Sequence, residues 1–129
     1  SAAESSDSVA KPPSMQPGDP PFISLNDAIA KYQFSEVIFI DTRDTADFKQ
    51  AHIKGAVNLP YDYYELFWDE VMKTIPRGRP IVTYCSGDAC ESSLMLGREL
   101  MSRGYGNVYI FYGGWSVWLK AGLPTERGQ

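Results

Sequence analysis

The chain has 129 residues, 43% hydrophobic and 22% charged, which is enough for one folded domain with a real core and too little for a second. A formal net charge of −4 excludes nucleic acid or an anionic membrane as the main partner, since both need a basic face, and no apolar run is long enough to span a bilayer. The only cysteines, Cys85 and Cys90, share one short stretch, and His52 is the only histidine, so neither a disulfide framework nor a four-ligand zinc site is expected, and no metal or cofactor.

Residues 1–21 are rich in Ser, Ala and Pro with few bulky apolar side chains. Their composition reads as a tail or linker, as if a domain over 22–125 had been cut from a longer protein, with 126–129 as a second tail. Such a domain is expected to be soluble, and the compartment, cytoplasmic or periplasmic, stays open. Ser24 followed by Asp27 predicts a helix cap and a short helix to about Gln33. The continuous apolar run Val37 to Ile40 reads as a strand covered on both faces, ending in the polar Asp41-Thr42-Arg43. Thr45 to His52 is expected to be helical, with Phe48 as its core anchor.

Ile53 to Pro60 reads as a turn and a brief extended piece. Tyr61 to Ile75 then carries Tyr64, Phe67, Trp68, Val71, Met72 and Ile75 at helical spacing. After the break Pro76 to Pro80, the run from Ile81 predicts a strand that leads into a tight polar loop and a helix over Glu91 to Arg103, with Gly97 allowing close approach to a sheet. Gly104 to Asn107 ends that helix, Val108 to Phe111 is a further strand, and Gly113-Gly114 turns into a last short helix with Trp118 buried. Strands alternating with helices imply a mainly parallel sheet covered on both faces, in which ligands bind beyond the carboxyl ends of the strands. Asp41 and Cys85 both fall there.

A thiol at the end of a strand, in front of a helix N-terminus, sits where backbone N–H groups converge and the helix dipole is positive. That setting favours thiolate, the nucleophilic form. Cys85 is therefore the expected reacting residue, and Ser86, Gly87, Asp88, Ala89, Cys90 and Glu91 the loop that cradles what it carries.

Four stretches together, Asp41-Thr42-Arg43, His52 to Pro60, the Tyr84-Cys85 loop and Gly113-Gly114 with Trp118, resemble a rhodanese-type sulfurtransferase domain over about Ile23 to Pro124. The resemblance implies a three-layer α/β fold, its central, mostly parallel sheet flanked by helices. It also implies that Cys85 takes a sulfane sulfur from a small donor as a persulfide and passes it to a thiol or cyanide, or to a protein sulfur carrier. Thiolate and persulfide are both anions, so main-chain N–H donors can serve both half-reactions without a general base.

Sulfurtransferases that use thiosulfate usually carry Arg or Lys in or beside this loop, whereas the charged residues here are Asp88 and Glu91. Repulsion of a dianion then implies weak thiosulfate activity and a persulfide or polysulfide donor. The stretch from Cys85 to Gly104-Tyr105 also looks about two residues longer than the common family pattern, which leaves the helix start open. Phosphatase relatives need an arginine where this chain has Glu91 and are discounted. A non-catalytic binding or redox-regulatory module is the remaining alternative.

Asp41 and Arg43 are expected to brace the strand end, with a substrate contact from Arg43 as the minor reading, and His52 to anchor the turn before Gly55. The aromatic cluster Tyr61, Tyr63, Tyr64, Phe67 and Trp68 is read mainly as core, with a tyrosine or two near the site, and Trp115 and Trp118 as packing. For Cys90 the favoured reading is an inward-facing residue at the loop's end, because tight loops often cannot meet disulfide geometry. The alternative is a thiol that resolves an oxidised or persulfidated Cys85 through an intraloop disulfide.

Overall fold

The computed structural model describes residues 5–87 and 89–128. Four parallel strands form the central sheet in the order β3-β1-β4-β5, where β1 is Ile38–Asp41, β3 Val57–Asn58, β4 Ile81–Tyr84 and β5 Val108–Phe111. A separate antiparallel pair joins β2, His52–Ile53, to β6, Thr125–Glu126. The helices are α1 Leu25–Tyr32, α2 Thr45–Gln50, α3 Tyr64–Met72, α4 Ser92–Ser102 and α5 Gly114–Lys120. No helix among the described residues is long and apolar enough to cross a membrane.

Successive strand side chains point to opposite faces, so each apolar strand feeds two cores. Phe39, Val82, Tyr84 and Phe111 enter one core with Ala28, Phe48 and Trp118. Ile40, Ile81 and Val108 enter the other with Met72, Leu96 and Leu100. The result is the expected three-layer α/β arrangement, with α1, α2 and α5 contributing to one face and α3 and α4 to the other. Trp118 is wholly buried; its ring centroid lies 5.0 Å from that of Tyr32 and 6.0 Å from that of Phe39, and its indole N–H donates to Pro124 O at 2.9 Å. Gly97 permits the close approach inferred from sequence, since an added Cβ would stand 3.4 Å from Ile110 and from Pro20.

Local chemistry sets most boundaries. Ser24 caps α1 by accepting from Asp27 N at 3.1 Å. The helix expected over Thr45 to His52 stops at Gln50, because Ala51 is extended and His52 is drawn into β2. His52 is buried, stacks on Phe48 at 3.6 Å between centroids, and bonds Phe48 O through Nδ1 and Glu126 Oε2 through Nε2. The helix expected from Tyr61 begins as a 3-10 turn over Tyr61–Tyr63 and ends at Met72; Ile75 is buried beyond it. In the aromatic cluster, Tyr61, Tyr64 and Trp68 pack against the core, while Tyr63 and Phe67 are exposed.

The terminal segments depart from their compositional reading. Residues 5–21 lie along the domain: Asn26 N donates to Ser6 O, the Asn26 amide to Asp7, and Arg98 to both Asp19 and Ser14 O. Main-chain bonds from Ile110 N to Pro21 O and from Ile23 N to Ile110 O continue the sheet beyond β5. Polar side chains, invisible to a hydrophobicity argument, hold this segment down. At the other end, Thr125–Glu126 is a strand and Gly128 N donates to Lys49 O at 2.8 Å, so the fold continues past 125.

Glu126 accepts from Gly55 N and from His52, and these two bonds, the first the stronger cause, hold its carboxyl below the ordinary 4.5. A depressed acid stabilises the fold above its ordinary value and loses that contribution as pH falls through the lowered one. Denaturation midpoints taken from neutral to acid pH should therefore fall more steeply below 4.5 in the wild type than in Glu126→Gln; parallel curves would show that this carboxylate adds nothing.

Candidate active site

The carboxyl ends of β1 and β4 meet side by side, Asp41 opposite Tyr84. Asp41 is fully buried and Arg43 reaches back to it, with Nε 3.1 Å from Oδ1 and Nη2 2.8 Å from Oδ2, while Nη2 also donates to Ala51 O at 2.7 Å. The guanidinium lies over the Trp115 ring, 4.9 Å from its centroid. Burial lowers the Arg43 pKa, but the Asp41 bond and charge outweigh it and the net shift is upward, so the group stays cationic. Arg43 thus braces the strand end, its charge spent on Asp41.

Thr42 ties β1 to β4, its N–H and Oγ1 both donating to Tyr84 O at 2.9 and 3.0 Å. Tyr84 is buried and its hydroxyl accepts from Ile53 N at 3.1 Å. Burial, followed by the charge of Asp41, pushes that hydroxyl far above the ordinary tyrosine value, so it remains a neutral strut. The residue immediately before Cys85 is in this way fixed from both its carbonyl and its hydroxyl.

Cys85 follows, 4% exposed. Its carbonyl accepts from Trp115 N at 2.8 Å and the Ser86 carbonyl from Ser116 N at 3.1 Å, both at the start of α5. A trans peptide points its N–H opposite to its C=O, so these two bonds turn the Ser86 and Gly87 amides to the loop's other side. The contact is close enough to require glycine twice. A Cβ on Gly87 would stand 2.5 Å from Gly113 O, and one on Gly114 2.5 Å from Cys85 O and 2.9 Å from Gly87 N; both residues also have positive φ, +92 and +67.

The loop then folds back. Cys90 N donates to Gly87 O at 3.0 Å, and Ala89 takes φ 70, unusual for a residue with a Cβ. This turn brings Cys90 to Cys85, and the two form a disulfide with their Cα atoms 6.2 Å apart. The reading of Cys90 as a merely inward-facing residue is thereby corrected. Two left-handed positions, Gly87 and Ala89, supply the reversal that a bare count of loop residues does not reveal. The Ser86 hydroxyl lies 3.9 Å from Cys85 Sγ, and Glu91, at the head of α4, accepts from Ser14 Oγ at 2.7 Å. Asp88 lies outside the described residues.

Sequence reasoning placed Cys85, its loop, Asp41 and Arg43 at one rim; among the described residues, Cys85, Ser86, Gly87, Ala89, Cys90 and Glu91 follow β4 beside the end of β1 that carries Asp41 and Arg43. It missed the grip of Trp115 and Ser116 on the loop, for which only the paired glycines before them give a sign. The rhodanese-like domain model matches residues 24–121. With this fold and this loop at the sheet's rim, the chain belongs to the rhodanese-like family.

Relatives agree. The chain is 32% identical over 94 residues to the thiosulfate sulfurtransferase GlpE of Actinobacillus succinogenes, covering 73% of this chain and 79% of that one. It is 34% identical over 89 residues to a sulfurtransferase of Allochromatium vinosum, covering 69% and 78%. Among solved structures, a rhodanese-like domain from Anabaena superposes with a TM-score of 0.61 at 27% identity, over 77% of this chain and 96% of that one. The thiosulfate sulfurtransferase of Pseudomonas aeruginosa gives a TM-score of 0.60 at 32% identity, over 71% and 17%.

The glycine contacts define a stability test. Gly114→Ala should cost about 1–3 kcal/mol by chemical denaturation, from backbone strain plus collision with the Cys85 carbonyl. Gly122→Ala shares the positive φ, +72, but meets nothing within 4 Å, so its cost should be limited to roughly 1 kcal/mol of strain. Equal costs at the two positions would remove the steric part of the argument.

Proposed function

We propose that the domain is a sulfurtransferase in which reduced Cys85 accepts a sulfane sulfur as a persulfide. What supports this most directly is the clamped loop: two carbonyls fixed on Trp115 and Ser116 leave the following amides turned away from α5, next to a cysteine at the head of an eleven-residue helix. Main-chain donors and the positive end of α4 favour an anionic sulfur there. The thiolate attacks the outer sulfur of a donor, displaces a thiolate leaving group, and holds the sulfur until a thiol, cyanide or a protein sulfur carrier removes it. Sulfurtransferase is also the activity carried in the names of the two relatives above.

The donor we infer is a persulfide or polysulfide, with thiosulfate a poor substitute. No Arg or Lys lies between Cys85 and Glu91, and Arg43 is committed to Asp41. A dianion would therefore meet acidic side chains without a free cation in the loop to offset them.

Sulfane-sulfur consumption, summed as thiocyanate and sulfide with cyanide present, tests the reading. Cys85→Ser should lower the rate on a reduced sample at least about 100-fold; an unchanged rate would leave a binding module as the better account. On thiosulfate, Glu91→Gln should raise kcat/KM by about fivefold, the factor for roughly 1 kcal/mol of relieved repulsion. No gain would count against charge as the reason for the donor preference.

A further inference from the structure

We propose that Cys90 is a second catalytic residue: its thiol discharges the Cys85 persulfide within the loop, releasing hydrogen sulfide and closing the disulfide. The domain would then act as a dithiol-dependent persulfide reductase, with its own Cys90 as the first acceptor. The inference rests on the sulfur-transfer reading above and adds to it the fate of the sulfur.

Three observations carry it. The disulfide is formed with the strand end and the head of α4 both in place, so the bond between Cys90 and the inner sulfur of Cys85 is compatible with the folded core. The reach is built into the backbone, through the Cys90 N to Gly87 O turn and the left-handed Gly87 and Ala89. Access differs as well: Cys85 is 4% exposed while Cys90 is partly exposed beside it. Cys90 sits between the more covered Cys85 and the surface, so a persulfide on Cys85 would have this thiol as its nearest acceptor. Tethering gives that thiol an effective concentration on the order of mM or above, at least matching a dissolved thiol.

The chemistry balances. A donor persulfide R–S–SH gives its outer sulfur to Cys85 and leaves as R–SH. Cys90 sulfur then attacks Cys85 Sγ, the bond from Sγ to the sulfane sulfur breaks, and that sulfur departs with the electron pair and the Cys90 proton as hydrogen sulfide. The two cysteine sulfurs are oxidised to the disulfide and the sulfane sulfur is reduced to sulfide. Attack on the outer sulfur instead would only move it to Cys90, so net release requires attack at Sγ. An external dithiol then reduces the disulfide by exchange, becomes a disulfide itself, and restores both thiols.

The test is a single turnover with the full chain, reduced and freed of reductant, mixed with one equivalent of glutathione persulfide. Sulfide is measured against a Cys85→Ser blank and the protein by non-reducing intact mass. The wild type should release about one sulfide per chain and end two hydrogens lighter than the reduced chain. Cys90→Ser and Cys90→Ala should instead retain one extra sulfur that cyanide removes as thiocyanate, with sulfide release slowed by about tenfold or more. Their cyanide-releasable sulfur also reports that the variants are folded. A wild type that keeps its sulfur, or Cys90 variants that release sulfide at the wild-type rate, would overturn the role of Cys90 while leaving sulfur uptake by Cys85 standing. Absence of uptake by wild type and variants alike would overturn both readings.

Discussion

The site depends on one pair of main-chain hydrogen bonds, those that anchor the Cys85 and Ser86 carbonyls to the first amides of α5. A loop of small residues between a strand and a helix has many conformations, and its entropy opposes any single one. Gripping two consecutive carbonyls selects one, because each fixed carbonyl also fixes the direction of the next amide. Everything behind the grip is rigid: Trp118 pins α5 to the core, and Thr42 and Tyr84 lock the ends of β1 and β4 together. The flexible element is held on a stiff frame by its backbone, which leaves its side chains free to do chemistry.

The same frame explains how charge is managed. Arg43 and Asp41 form a buried pair whose partners would each be costly alone. Stacking the guanidinium on Trp115 places this pair directly under the loop's anchor. The pair thus supports the site mechanically while giving up its positive charge as a direct ligand for substrate. On the sulfurtransferase reading proposed above, this leaves main-chain dipoles, rather than the Arg43 cation, as the groups that would face an anionic sulfur.

How far the sequence was legible follows from what kind of signal each feature leaves. Apolar runs at Val37 to Ile40 and from Ile81, and the helical spacing after Glu91, report burial on two faces, and burial is what builds the sheet and its flanking layers. Cys85, Asp41 and Arg43 follow from their places at strand ends. The strand at His52–Ile53 and the contacts of residues 5–21 rest on pairings between residues far apart in sequence, such as β2 with β6 and Arg98 with Asp19, which leave no periodic trace. The Cys85 to Cys90 bond was open for a similar reason: it depends on Ala89 adopting a left-handed conformation that composition does not announce.

The segment that continues the sheet past β5 has a bearing on how the molecule meets its neighbours. A strand at the margin of a sheet offers unpaired amides and carbonyls to any other extended chain. Here the exposed side of β5 is met at Ile110 by Pro21 and Ile23, through one carbonyl and one amide, with Phe22 opposite Ile110 between them. The chain's own N-terminal segment therefore occupies the pairing groups of Ile110, and another extended chain would have to displace that segment to pair with β5 there.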